Sequence, residues 1–133
     1  MKPLNTALQA ELALYLKTWN FHWNVEGPMF PSLHKLFEEQ YDGLQELVDE
    51  IAERIRALGG VADTSVKLEL TGQSAAKAML ESLAADHEAL SAKMSSKWIP
   101  ALEKAGDPGS VDLLTRALQE HDKMAWMLRA TAK

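Results

Sequence analysis

The most constraining feature of the sequence is an apolar stripe that repeats with the period of an α-helix. Its members recur at steps of three or four residues over about seven turns. Pro31 suits a first helical turn, and Gly59-Gly60 suits a C-terminal cap. We therefore predict a helix from about Pro31 to Leu58 with one face in a core. The stripe consists of Leu33, Phe37, Tyr41, Leu44, Val48, Ile51, Ile55 and Leu58.

Three further segments show the same helical period. The first runs from about Leu4 to Val25, before a break at Gly27-Pro28. The third begins near Ser74, and Pro100 is expected to kink it or to end its regular part. The fourth follows Asp107-Pro108, which reads as an N-cap and a first-turn proline. Four amphipathic helices predict an all-α four-helix bundle, with residues 1–133 forming a single domain.

A long connector joins the second and third helices, from Val61 to Gln73. Val66, Leu68 and Leu70 alternate like a strand, but the sequence offers no second strand to pair with them. We therefore expect a packed loop or a short helix here. Because it is the longest connection, we expect it to cross over the bundle.

The composition excludes several classes of protein. The chain has no cysteine, which rules out disulfides, zinc–thiolate sites and thiol catalysis. Its net charge of −5 disfavours general nucleic-acid binding and is compatible with attracting cations. No targeting segment or membrane-spanning run is visible, so we expect a cytoplasmic protein that does not associate with membranes.

The four histidines fall into two groups. His22 and His34 are equidistant from Pro28, so a tight antiparallel hairpin places both imidazoles at one level. His87 and His121 lie inside apolar stripes. Their favoured interpretation is that of core or boundary histidines, each hydrogen-bonded to a neighbour.

Acidic residues accompany His34 on the second helix. Glu38 lies four residues after His34, and Asp49 and Glu53 are also four apart. All four fall in a sector beside the apolar stripe. The like charges of Asp49 and Glu53 repel at this spacing unless a cation sits between them. Imidazole and carboxylate ligands together suit iron, zinc or manganese.

Other charge patterns on the same helix have simpler interpretations. Glu50 and Arg54 are predicted to form an ordinary ion pair one turn apart. The Glu-x-x-His pairs of in-chain di-iron bundles are absent. The residues three positions before the histidines are Trp19, Pro31, Ala84 and Leu118.

The spacing of the candidate ligands requires a second copy of the chain. His34 and Asp49 are separated by roughly 22 Å along one helix axis, whereas metal–ligand bonds are about 2 Å long. Two antiparallel copies of this helix solve the problem. About a two-fold axis between residues 43 and 44, His34 faces the partner copy's position 53, and Glu38 faces its position 49. We therefore predict two equivalent sites per dimer.

Four segments of the sequence carry a specific resemblance to known proteins. They are Asn20-Phe21-His22-Trp23-Asn24-Val25-Glu26-Gly27, Leu33-His34 after Phe30, Val48-Asp49-Glu50-Ile51-Ala52-Glu53-Arg54, and Glu120-His121-Asp122-Lys123-Met124-Ala125-Trp126-Met127-Leu128. These segments resemble the Dps mini-ferritin family. The resemblance implies a ferritin-like bundle that assembles as a homo-oligomer, a hollow dodecamer. It also implies oxidation of Fe(II) by hydrogen peroxide or oxygen, preferably by hydrogen peroxide, and storage of ferric mineral inside.

The resemblance also implies a di-iron ferroxidase site for Fe2+/Fe3+ at a two-fold subunit interface. Its ligands correspond to His22, His34, Asp49 and Glu53, and a further carboxylate corresponds to Glu38, where the family often has aspartate.

Three more residues gain roles from the resemblance. Trp23 matches a tryptophan beside the site that absorbs stray oxidising equivalents, although a buried packing role is an equal alternative. Asp107 and Asp112 lie where the family builds acidic pores for iron entry. Their alternative role is to offset the dipole of the last helix.

Two alternative functions remain open at this point. One is a cage that binds another metal, such as zinc, without turnover. The other is a nucleoid-associated DNA-binding protein, which requires a basic tail or patch. The sequence shows only Met1-Lys2-Pro3 before the first helix and, after the last helix, little other than Lys133. We therefore do not expect the DNA binding of many family members in this protein.

Overall fold

The computed structural model describes residues 1–68, 70 and 75–133, and this part of the chain is helical with no strand. The all-α prediction and the four-helix bundle are confirmed. The third bundle helix is built from three consecutive pieces. In chain order, the elements are α1 Lys2–Asn24, α2 Phe30–Ala57, α3 Ala76–Lys93, a π-helical turn Met94–Trp98, α4 Ile99–Lys104 and α5 Pro108–Ala132.

Helices α1 and α2 form the antiparallel hairpin that the Gly27-Pro28 break predicts. Val25 leaves the helix in an extended conformation. Gly27 then has a φ of +121°, a backbone conformation that residues other than glycine rarely adopt. The N–H of Phe30 donates to the carbonyl of Gly27 at 3.0 Å and closes the turn. This short reversal places the end of α1 beside the start of α2.

The apolar stripe of α2 enters the core as predicted. Phe37, Leu44 and Ile51 are fully buried, whereas Tyr41 and Val48 lie half-buried at the edge of the buried face. Leu58 is 40% exposed because it caps the helix rather than continuing it. Gly59 follows with a φ of +88°, which confirms the predicted glycine cap.

The described part of the connector is a loop that runs along α1. Its start is tied to Asn5, whose Nδ2 donates to the carbonyl of Val61 at 3.0 Å. Its later part is tied to Asn20, whose Nδ2 donates to the carbonyl of Leu70 at 3.2 Å. Because Asn5 and Asn20 lie near opposite ends of α1, the connector crosses the length of the bundle. Its last residues, and the predicted helix start at Ser74, lie outside the described residues.

Pro100 kinks the third bundle helix instead of ending it. Proline lacks an N–H and its ring crowds the carbonyl four residues earlier. The backbone widens just before it, and Ile99 N–H bonds the carbonyl of Met94, five residues back. Met94 and Trp98 stay buried across this turn, so the core contact continues into α4.

Helix α5 begins where the sequence predicts. The Asp107 side chain accepts a hydrogen bond from the N–H of Ser110, and Pro108 occupies the first turn. Contacts between Arg54 and Ser110 at one end, and between Gln40 and Met124 further along, show that α5 runs antiparallel to α2. No helix among the described residues combines the length and apolarity needed to cross a membrane.

Candidate metal centre

The hairpin brings two histidines together, as the sequence predicts. The imidazoles of His22 and His34 stack with their centroids 3.6 Å apart and their planes 15° apart. The Nδ1 atom of each ring lies 2.6 Å from the backbone carbonyl oxygen of the other residue. His22 is buried and His34 is half-buried. These reciprocal contacts fix both rings to the backbone of the turn.

The hydrogen bonds also define the tautomer of each ring. A carbonyl oxygen can only accept, so Nδ1 of His22 and of His34 must carry the donated proton. In a neutral imidazole this leaves the lone pair on Nε2. A histidine that donates one ring N–H to a carbonyl and presents the other nitrogen is the usual form of a metal ligand. The pair therefore has the chemistry that binding of a cation requires.

Aromatic rings surround the histidine pair. Phe30 stacks on His34 with centroids 4.9 Å apart, and Tyr41 meets His22 edge to face at 5.2 Å. Trp23 lies 6.4 Å from His22 by the same measure. These rings limit the freedom of the imidazoles and shield one side of the pair from water.

A pair of carboxylates lies near the other end of α2. Asp49 and Glu53 are both exposed, and their side chains are within hydrogen-bonding reach. The pKa of Glu53 is raised, first because it hydrogen-bonds to Asp49 and then because the negative charge of Asp49 repels its own. Two carboxyl groups in this relation favour a proton or a cation between them.

Glu38 occupies the exposed turn after the histidine pair. It lies four residues after His34 on α2. Its charge contributes to the raised pKa of Tyr41, after the larger effect of burial of the phenol. Glu38 is thus close enough to influence groups beside the histidine pair, while remaining accessible to a second chain.

The single chain does not bring the two halves of the predicted site together. Within residues 1–68, 70 and 75–133, no three His, Asp or Glu side chains converge on a point that could hold a metal ion. The histidine pair and the Asp49–Glu53 pair lie at different levels of α2, as their separation in the sequence requires. The ligand assignment and the two-fold site remain predictions.

Two interpretations from the sequence are wrong. Glu50 and Arg54 do not pair with each other, because both reach across to α5. Arg54 bonds Asp107 at 2.7 Å, and Glu50 accepts from Arg116 at 3.3 Å. Trp23 is not a buried packing residue of this chain, because 56% of it is exposed. The Trp23 ring contacts the ring of Trp19, with the centroids 4.7 Å apart.

The two aspartates assigned to a pore differ in the structure. Asp107 is half-buried and is held by Ser110 and Arg54, which confirms its capping role. Asp112 is exposed and lies 3.5 Å from Arg116, one turn further along α5. Both line an open surface depression of about 480 Å³. Their role in iron entry stays a prediction.

Three buried polar side chains are hydrogen-bonded in series in the bundle core, and the sequence analysis identified only the two histidines. His87 and His121 are fully buried, and their Nδ1 atoms are 2.8 Å apart, which confirms the core interpretation. The partner that sequence reasoning missed is Glu11, also fully buried, whose Oε1 lies 2.5 Å from Nε2 of His121. Glu11 falls three residues after Leu8 on the buried face of α1. That position was the available signal.

These features define a class before any relative is considered: a ferritin-like four-helix bundle with a histidine pair between its first and second helices and a carboxylate pair on the second. The family model of the ferritin-like domain matches residues 1–133. A DNA protection during starvation protein 2 of Bacillus anthracis is 38% identical over 138 aligned residues, which cover 98% of this chain and 94% of that protein.

Solved structures give the same result. Dps from Staphylococcus aureus superimposes with a TM-score of 0.91 at 33% identity, covering 99% of this chain and 93% of the other. Dps from Vibrio cholerae O1, described as a member of a broad superfamily of ferritin-like diiron-carboxylate proteins, gives 0.89 at 28% identity, covering 99% and 87%. The chain belongs to the Dps family of ferritin-like proteins.

Proposed function

We propose that this protein is a ferroxidase and iron-storage mini-ferritin. It oxidises Fe(II), preferably with hydrogen peroxide, and keeps the ferric product inside a dodecameric cage. The observation that carries the proposal is the histidine pair, whose Nδ1 protons are both engaged by carbonyl groups so that Nε2 is left for a metal. The description of the Vibrio cholerae relative as a diiron-carboxylate protein supports iron as the substrate.

The complete site forms between two antiparallel copies of α2. The two-fold relation that faces His34 with the partner copy's position 53 also faces Glu38 with its position 49. Each site then combines two imidazoles from one chain with two carboxylates from the other. The hydrogen bond of Glu53 with Asp49, and then the repulsion between their charges, raise the pKa of Glu53 in the isolated chain, and bound Fe(II) takes the place of the shared proton.

Exposed apolar residues support the same dimer. At the histidine end of α2, Met29 is 52% exposed and Phe30 is 37% exposed. At the opposite end, Leu58 is 40% exposed and Val61 is 73% exposed. Position 29 faces position 58 under the two-fold relation, so each apolar end covers the other. Unpaired apolar surface of this kind favours association.

The middle of the same face leaves room for a partner helix. An open groove of about 520 Å³ is lined by polar residues and by the half-buried Val48 and Ala52. A second α2 lying in this groove buries those apolar side chains. Its lining residues belong to α2 between positions 45 and 52 and include Asp49, so the groove lies beside the proposed axis, on the carboxylate side.

The proposed chemistry is an oxidation of two substrate ions. Each Fe(II) loses one electron, and one hydrogen peroxide accepts two electrons and two protons to give two waters. The chain contributes ligands and holds the ions close together, and the carboxylates stabilise the higher charge of Fe(III). Removing both iron and peroxide also fits the protective role in the name of the Bacillus anthracis relative.

A chain-mixing experiment tests the shared site. His34→Ala and Glu53→Ala chains, each inactive alone, are unfolded together, refolded and assayed for Fe(II) oxidation by ferric absorbance. In a mixed dimer one site carries both substitutions and the other carries neither, so we expect activity to return in part.

A mixture of His34→Ala with His22→Ala chains is the matched control. Both histidines come from the same chain of each site, so every site of this mixed dimer stays damaged. Absence of recovery in the first mixture, or equal recovery in both, contradicts the two-fold assignment.

A further inference from the structure

Arg54 is seated on the first turn of α5. Its Nη2 lies 2.7 Å from Oδ1 of Asp107, and its Nε donates to Oγ of Ser110 at 3.1 Å. About a third of the Arg54 side chain and a fifth of the Asp107 side chain are exposed, so the pair is partly shielded from water. This two-pronged contact specifies the direction of the guanidinium in a way that a lysine ammonium does not.

Gly109 leaves the space that the Arg54 guanidinium occupies beside α5. A Cβ atom at position 109 would lie 2.5 Å from Nη2 of Arg54 and 2.8 Å from its Cζ. Both distances are far inside van der Waals contact, so any side chain at position 109 displaces the guanidinium. Glycine at this position therefore allows Arg54 to lie against the first turn of α5 without being displaced.

Asp107 is committed to this arrangement. Its Oδ1 accepts from the N–H of Ser110 at 3.1 Å as well as from Arg54, and its Oδ2 accepts from the Ser110 hydroxyl at 2.5 Å. The hydrogen bond from Ser110, followed by those of Arg54 and the Ser110 N–H, lowers the pKa of Asp107. Both carboxylate oxygens thus have partners within the chain.

The same edge of α2 carries a second contact with α5. Glu50, one turn before Arg54, accepts from Arg116 at 3.3 Å. Two contacts one turn apart oppose rotation of α2 about its own axis. The adjacent sector of these same turns carries Asp49 and Glu53, so a displacement of Arg54 removes one of the contacts that hold this part of α2 against α5.

We propose that Asp107 is a positioning residue for the carboxylate half of the iron site, acting through Arg54. The inference rests on the proposed function, because it assumes that Asp49 and Glu53 bind iron. Gly109 belongs to the same device, since it provides the space in which Arg54 contacts Asp107.

Three variants separate positioning from pore entry. Gly109→Ala displaces Arg54 while keeping every carboxylate, Asp107→Asn weakens the seat, and Asp112→Asn is the matched control that removes a neighbouring exposed acid. The assembled protein is titrated with Co(II), a non-oxidising probe, by its visible absorbance. KM and kcat for Fe(II) and the midpoint of thermal unfolding are measured in parallel.

We expect Gly109→Ala and Asp107→Asn to weaken Co(II) binding roughly tenfold, as for other residues that orient metal ligands. KM should rise with a smaller change in kcat, and Asp112→Asn should keep the wild-type affinity for Co(II). A pore changes the rate of entry but not the equilibrium affinity. Alanine has a higher helix propensity than glycine, so a purely local effect of Gly109→Ala would raise the unfolding midpoint and leave the affinity unchanged.

Each outcome decides the proposal. Wild-type Co(II) affinity in both Gly109→Ala and Asp107→Asn overturns it, whatever their stability. Weaker binding in Asp112→Asn to the same degree also overturns it and favours a general loss of negative charge. A wild-type protein that neither binds Co(II) nor oxidises Fe(II) refutes the proposed function itself. If Gly109→Ala does not assemble, Arg54→Lys takes its place, since it keeps the charge and loses the two-pronged contact.

Discussion

Acid should destabilise this bundle through a single buried histidine. His87 is fully buried, with Nδ1 bonded to Nδ1 of His121, and its Nε2 has no partner among the described residues. Burial, followed by repulsion from His121, lowers the pKa of His87 from 6.5 to about 3. A second proton would give this buried imidazole a positive charge and an N–H group for which the described residues offer no acceptor.

The sign and size of the effect follow from the two pKa values. Below pH 6.5 the unfolded chain takes up a proton at His87 that the folded chain does not bind until about pH 3. The folded state therefore loses stability as the pH falls through this window. At pH 5 the loss is about 2 kcal/mol, since each pH unit corresponds to about 1.4 kcal/mol per proton.

Urea unfolding at pH 7 and pH 5, at one fixed subunit concentration, measures this loss. His87→Gln cannot take up the proton, but its amide can still bond His121. We expect the variant to be less stable at pH 7, yet to lose about 2 kcal/mol less than the wild type between the two pH values. The carboxylates titrate in both proteins, so their contribution to the change in the free energy of unfolding cancels when the two proteins are compared. Equal losses in both proteins would refute the reasoning, as would a steeper loss in the variant.

Two other predictions concern the candidate site and DNA. His34→Ala and Asp49→Ala should each slow the initial rate of Fe(II) oxidation, measured by ferric absorbance, with little change in the unfolding midpoint, because neither side chain belongs to the fully buried core; unchanged rates in both would remove these residues from the site. The protein should not retard duplex DNA in a gel at neutral pH and physiological salt, because each chain carries a net charge of −5 and binding through counterion release needs clustered Lys or Arg; a salt-sensitive shift without added divalent metal would contradict this.

The helices could be predicted from sequence because their signals are local. The apolar period of α2, the glycine cap at Gly59-Gly60 and the N-cap at Asp107 each act within a few residues. The histidine pair was also predictable, since His22 and His34 flank a hairpin of fixed midpoint. Each of these inferences needs only helix geometry and the position of a turn.

Contacts between distant helices could not be predicted in the same way. A local rule pairs Glu50 with Arg54. Arg54 instead donates to the helix-capping carboxylate of Asp107 and to the hydroxyl of Ser110, which together offer more acceptors than one exposed glutamate. The burial of Glu11 beside His121 likewise depends on which helices become neighbours. Periodicity identifies the buried face of a helix but not the residues that lie opposite it.

In the proposed dimer, polar groups on α1 and α2 link iron binding to assembly. In the isolated chain Asp49 and Glu53 share a hydrogen bond and repel each other when both are charged, and His22 and His34 hold Nε2 lone pairs that one chain cannot combine with those carboxylates. A site that forms only between two chains binds its ion in the dimer and not in the monomer. Iron therefore stabilises the dimer interface by the same free energy by which the interface increases the affinity for iron. The apolar ends of α2 and the metal ligands then reinforce one contact, with the hydrophobic residues setting the register and the ions completing it.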